Sequence, residues 1–138
     1  MERVHVFFYG LFMDEALLRS KGVAPEQMQQ ASVQGFQLRI AQRATLVPIP
    51  GSTVHGMVAI LKHSELEQLY SEPTVRDYRP EPVVAHLRGG GQVPALCFNL
   101  IATPSAGERN HEYAERLQML AQRLGLPSEY VASIQSDR

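Results

Sequence analysis

Apolar and polar positions change their spacing along the chain often enough to mark out its elements. Val4 to Phe8 is apolar apart from His5 and reads as a buried strand that stops at Tyr9-Gly10. Leu11 to Arg19 then reads as a short helix with Ala16, Leu17 and Leu18 inward. A polar connection follows from Lys21 to Gln30, holding Gly22 and Pro25. After Val33-Gln34-Gly35, Phe36, Leu38 and Ile40 alternate with Gln37 and Arg39, as in a half-buried strand. Ala44 to Pro48 adds a short edge strand, because Pro48 cannot donate to a central ladder. Pro50-Gly51 marks a turn. Val54 to Leu61 is nearly all apolar, as in a strand covered on both faces, and Gly56 inside it implies a close approach by another backbone or a ligand.

Ser64 to Glu67 fits a capping box that opens a short helix, and Pro73 stops that helix by Glu72. Tyr78 to Leu87 and Val93 to Ile101 read as a hairpin turned by Gly89-Gly90-Gly91. The triple glycine lacks the spacing and the following Lys of a P-loop. Thr103 to Arg109 reads as a loop. Asn110 caps a helix running to Leu124, with Tyr113, Ala114, Leu117, Leu120, Ala121 and Leu124 along one stripe and Gly125 as its stop. Pro127 opens a last helix that turns Tyr130, Val131 and Ile134 inward. The pattern has no repeats and no second domain. It predicts one α+β domain over residues 1–138, a small mixed barrel-like sheet with helices packed on it.

Composition narrows the functions. The 138 residues are 44% hydrophobic, enough for one core. The net charge of −1 is spread along the chain, with no basic face for nucleic acid and no basic amphipathic helix for a membrane surface. No apolar run spans a bilayer, and no signal-peptide pattern precedes the first strand. The single Cys97 excludes an internal disulfide and fits a reducing cytoplasm; its apolar neighbours make it a core residue. The sequence leaves a homodimer open. The five histidines form no metal-ligand pair at useful spacing.

What remains for chemistry is the Tyr9-Gly10 turn, Glu72, Tyr78 and Tyr113. A strand that ends in Gly before a helix leaves backbone N–H groups free to face an anion or a carbonyl oxygen. Taken singly, each residue has an ordinary structural explanation. Their order, with the Val33-Gln34-Gly35 strand between them, resembles the γ-glutamylcyclotransferase family, also called AIG2-like. The ending Tyr113-Ala114-Glu115-Arg116, then Gly125-Leu126-Pro127-Ser128-Glu129-Tyr130, is similar to that family's ending. The resemblance runs from about Val4 to Ile134.

The resemblance implies cleavage of a γ-glutamyl amide by internal cyclisation, giving 5-oxoproline and a free amine. It assigns the glutamyl end to the backbone of Tyr9, Gly10, Leu11 and Phe12, proton transfer to Glu72, and pocket positions to Tyr78 and Tyr113. It implies a small-molecule γ-glutamyl substrate, with no metal and no organic cofactor. The chemistry is coherent: an α-amine with a pKa of about 8 needs a general base before it attacks. A partly buried glutamate suits that role. Leu11 stands where the family has a small hydroxylated residue, and Leu69 and Pro73 replace the acid and glycine that flank its glutamate. The interval from Glu72 to Tyr78 is slightly short, which leaves Glu67 and Glu81 as alternative acids. A binding protein of the same fold, holding a small carboxylate-bearing ligand without turnover, is the alternative function.

Overall fold

The computed structural model describes residues 2–102, 104–105 and 107–136. Five strands close into a mixed barrel in the order β1-β3-β2-β4-β5. They are β1 (Arg3–Phe8), β2 (Glu26–Ile40), β3 (Ala44–Lys62), β4 (Tyr78–Leu87) and β5 (Gln92–Leu100). β1 is antiparallel to β3 along its length and parallel to β5, where Val6 pairs with Leu96. That parallel seam closes the barrel and makes it mixed. β2 meets β4 only at Ala31–Leu87 and Ser32–His86. The rest of β4 carries Pro80 and Pro82, which have no N–H to offer a further neighbour.

The barrel is the expected fold, but two of its strands are longer than the pattern predicts. β2 begins at Glu26, inside the polar connection, because alternation in Gln29-Gln30-Ala31-Ser32-Val33 pairs it with β3. β3 runs without a break from Ala44 to Lys62, so the expected edge strand and the Val54–Leu61 strand are one. Pro50-Gly51 is a bend within it, with Gly51 at φ +86°. Opposite, the register shifts between Gln34 and Phe36, where Gly35 sits at φ +85°. The two glycines take left-handed conformations and let the long hairpin coil around the core. Gly56 meets the approach its position implies, and the partner is backbone: an added Cβ would lie within 3 Å of the Phe8 carbonyl oxygen and of Phe7 Cζ.

The expected Leu11–Arg19 helix is broken in two. Leu11–Met13 is one 3-10 turn, and Asp14 then caps α1 (Glu15–Ser20) by accepting from the Ala16 N–H at 3.0 Å. Met13 and Leu18 are buried, while Ala16 is exposed. α2 (His63–Leu69) starts as soon as β3 leaves the sheet, so Ser64 lies inside it. The reciprocal acid is Glu65, whose Oε1 accepts from Lys62 N at 2.8 Å while Oε2 accepts from Ala24 N at 2.8 Å. α3 (His111–Leu124) carries the expected stripe, with Ala114, Leu117, Leu120 and Ala121 buried and Gly125 at φ +79° as its stop. α4 (Ser128–Ser133) follows Pro127, with Val131 buried. The expected loop over 103–109 includes Thr103 and Ala106, which lie outside the described residues. No helix among the described residues is long and apolar enough to cross a membrane.

Candidate active site

One end of the barrel opens into a cavity of about 600 Å³. Its walls come from the end of β1 and the turn after it, the segment between α2 and β4, the β2–β3 hairpin tip and the start of α3. Eight of the chain's ten phenylalanines and tyrosines line it, and three of them, Phe7, Phe8 and Tyr9, also belong to the buried core. A second cleft of about 510 Å³ lies between the β2–β3 hairpin and α4, and no carboxylate lines it among the described residues.

The Tyr-Gly turn forms one wall. Met13 N donates to Gly10 O and Asp14 N to Leu11 O, both at 3.0 Å. The N–H groups of Leu11 and Phe12 precede the first bond of this turn and have no acceptor within it, and that of Leu11 is turned toward the Tyr113 hydroxyl. Gly10 has an ordinary φ of −111°; it is glycine for want of space, since an added Cβ would lie 2.6 Å from Tyr113 Oη. Tyr113 reaches the turn because Asn110 caps α3. Asn110 Oδ1 accepts from Tyr113 N at 3.0 Å, and its Nδ2 donates to Gln42 O at 3.1 Å, which ties the helix start to the hairpin tip.

The phenols share a pattern. Tyr9 Oη donates to Phe98 O at 2.7 Å, and Tyr78 Oη donates to Ala44 O at 2.5 Å. Each keeps lone pairs that can accept. Tyr70 stacks on Phe98 with ring centroids 3.9 Å apart, and Phe12 meets it edge-on at 5.8 Å. Burial raises the pKa of Tyr9, Tyr70, Tyr78 and Tyr113, so all four stay neutral hydroxyls at physiological pH. For Tyr113 the backbone at Leu11 works against that rise.

Glu72 is a cavity-lining carboxylate. It sits in the turn after α2, where its carbonyl accepts from Val75 N at 3.0 Å and Arg76 N at 2.9 Å. Its carboxylate is about one-third exposed and takes both oxygens to Lys21 Nζ, at 2.5 and 2.8 Å. Lys21 lies at the C-terminal cap of α1. The alternative acids stand elsewhere: Glu67 is exposed on α2 beside His63, and Glu81 is on β4, accepting from Asn99 Nδ2 at 3.0 Å. Arg43 also lines the cavity, but Asp77 holds it at 2.6 and 2.7 Å, and its guanidinium lies 5.6 Å from the Tyr78 ring centre.

All the residues singled out in the sequence, Tyr9, Gly10, Leu11, Phe12, Glu72, Tyr78 and Tyr113, line this cavity. Lys21, Arg43 and Tyr70 were not singled out. Tyr70 could have been found as an aromatic two positions before Glu72. Lys21 and Arg43 gave no local sign, because their relation to the site is made by the fold. Cys97 is fully buried and its thiol is pushed up to about 12, mainly by burial, so it is a core residue.

Comparison with known proteins gives the fold from solved structures and the family from a sequence profile. Among solved structures the chain is similar to a gamma-glutamyl cyclotransferase, with a TM-score of 0.79 at 22% identity over 99% of this chain and 90% of that one. An uncharacterized protein from Homo sapiens superposes with a TM-score of 0.79 at 23% identity and the same coverage. YkqA from Bacillus subtilis gives 0.77 at 22% identity, covering 99% of this chain and 56% of its own. No curated protein sequence matches. The profile of the family described as gamma-glutamyl cyclotransferase, AIG2-like, matches residues 6–118. This chain belongs to the AIG2-like gamma-glutamyl cyclotransferase family.

Proposed function

We propose that this protein is a cytoplasmic enzyme that releases 5-oxoproline from a γ-glutamyl amide or peptide. The observation that carries this reading is the gathering of one carboxylate, one glycine turn and four phenols, Tyr9 buried and Tyr70, Tyr78 and Tyr113 partly so, around a single aromatic cavity. The glutamyl group enters with its side-chain carbonyl toward the Leu11 and Phe12 N–H groups. Glu72 accepts a proton from the α-ammonium, and the freed amine attacks the side-chain carbonyl carbon. A ring C–N bond forms, and negative charge gathers on oxygen, where fixed N–H donors stabilise it. The bond to the departing nitrogen then breaks as Glu72 returns its proton to that nitrogen, and the ring nitrogen gives up its extra proton through Glu72 to solvent, leaving the neutral lactam. Tyr9 and Tyr78, whose protons are committed to carbonyls, offer lone pairs to the substrate's N–H groups. The cavity favours ring closure by holding amine and carbonyl together.

One observation supports the second reading, a binding protein of the same fold. Both oxygens of Glu72 are engaged by Lys21, so this carboxylate rests in an ion pair. A panel of γ-glutamyl amides and dipeptides assayed for 5-oxoproline separates the two. Release from at least one member supports the enzyme; binding throughout the panel with no product supports the alternative.

A further inference from the structure

We propose that Lys21 binds the α-carboxylate of the γ-glutamyl group, so that Lys21 and Glu72 together form a receptor for an α-amino-acid zwitterion. The inference rests on the reading that a γ-glutamyl amide occupies this cavity. Lys21 Nζ and the Glu72 carboxylate are in direct contact, and both line the cavity. An α-amino acid carries the complementary pair, an ammonium and a carboxylate on one carbon. Its ammonium fits Glu72 and its carboxylate fits Lys21.

Charge balance favours this exchange. The resting pair is neutral, and a zwitterion is neutral, so binding replaces one ion pair by two without leaving a charge alone in an aromatic cavity. A ligand with an ammonium but no carboxylate would take Glu72 and strand Lys21. Both side chains are about one-third exposed, so their contact can open without stripping either charge of all its water. The lysine backbone is held in place. Lys21 N donates to Leu18 O at 3.0 Å, and Lys21 O accepts from Gln68 Nε2 at 2.8 Å, which fixes the α1 cap against α2. Arg43, the other cation of the cavity, has its two terminal nitrogens on Asp77, so Lys21 is the better placed of the two.

The test compares a γ-glutamyl amide with its α-carboxamide analogue, in wild type, Lys21→Gln and Lys21→Arg. Kd by calorimetry is measured for both ligands alongside kcat/KM for 5-oxoproline release. Wild type should prefer the α-carboxylate. Lys21→Gln should reduce that preference by about ten- to a hundredfold, the size of a charge-assisted hydrogen bond. Lys21→Arg should restore part of it. If Lys21 only holds Glu72, Lys21→Gln will change both ligands alike, and the unchanged preference overturns the inference. Absence of turnover in wild type overturns the proposed reaction, while the Kd ratios still decide the role of Lys21. Binding of neither ligand to wild type overturns both.

Discussion

At Gly10 a single hydrogen stands between the backbone and the Tyr113 hydroxyl: a Cβ there would lie 2.6 Å from Oη but 4.0 Å from Cζ. Gly10→Ala should therefore destabilise the fold by about 1–3 kcal/mol, the usual cost of overpacking. In a Tyr113→Phe background the oxygen is gone and the ring carbon is at ordinary contact distance, so most of that cost should vanish. Urea unfolding of the four proteins measures this coupling; an equal penalty in both backgrounds would mean that Tyr113 is not what requires glycine. Tyr9, Gly10, Tyr78, Tyr113 and Glu72 are legible in the sequence because their order along the chain carries them. Lys21 is not. It lies 51 residues from Glu72, and only the packing of α1 against the turn after α2 brings them together.

β3 shows how sequence reading loses an element. Pro48, Pro50 and Gly51 are all breakers, so they suggest an ending where the strand only bends. The long pairing with β2 supplies the hydrogen bonds that keep it a strand, and no local window contains that partner. Further along, Gly56 meets the Phe8 carbonyl, which is backbone and cannot rotate away. Gly56→Ala should cost more than about 3 kcal/mol or abolish folding, as read from thermal or urea unfolding. The neighbouring His55 packs on Tyr130 with ring centroids 5.0 Å apart, and burial holds its pKa below the usual imidazole value. In the window between the folded and unfolded values the unfolded chain binds more protons. Stability should therefore fall as pH drops from above about 6.5 through the folded value. His55→Gln should flatten the stability profile just below about pH 6.5; an unchanged slope would assign the acid sensitivity to other groups.

Barrel closure brings the distant parts of the site together. The parallel β1–β5 seam sets Tyr9 against Phe98, the hairpin tip sets Ala44 against Tyr78, and Asn110 ties α3 to that tip through Gln42. The strand-rich pattern with helices at intervals was enough to anticipate a small mixed barrel. It could not give the strand order, because the pairing of β1 with β3 and β5 is a property of the closed sheet.

The central claim is that Glu72 moves the proton in a cyclisation that yields 5-oxoproline. Glu72→Gln keeps the shape of the side chain and removes its titratable group. With the best γ-glutamyl substrate from the panel, 5-oxoproline release should fall by on the order of a hundredfold or more, the usual size of a general acid–base contribution. Glu67→Gln and Glu81→Gln, which change carboxylates outside the cavity lining, should stay within a few-fold of wild type. Retained turnover in Glu72→Gln, or a large loss at Glu67 or Glu81 instead, would contradict the account.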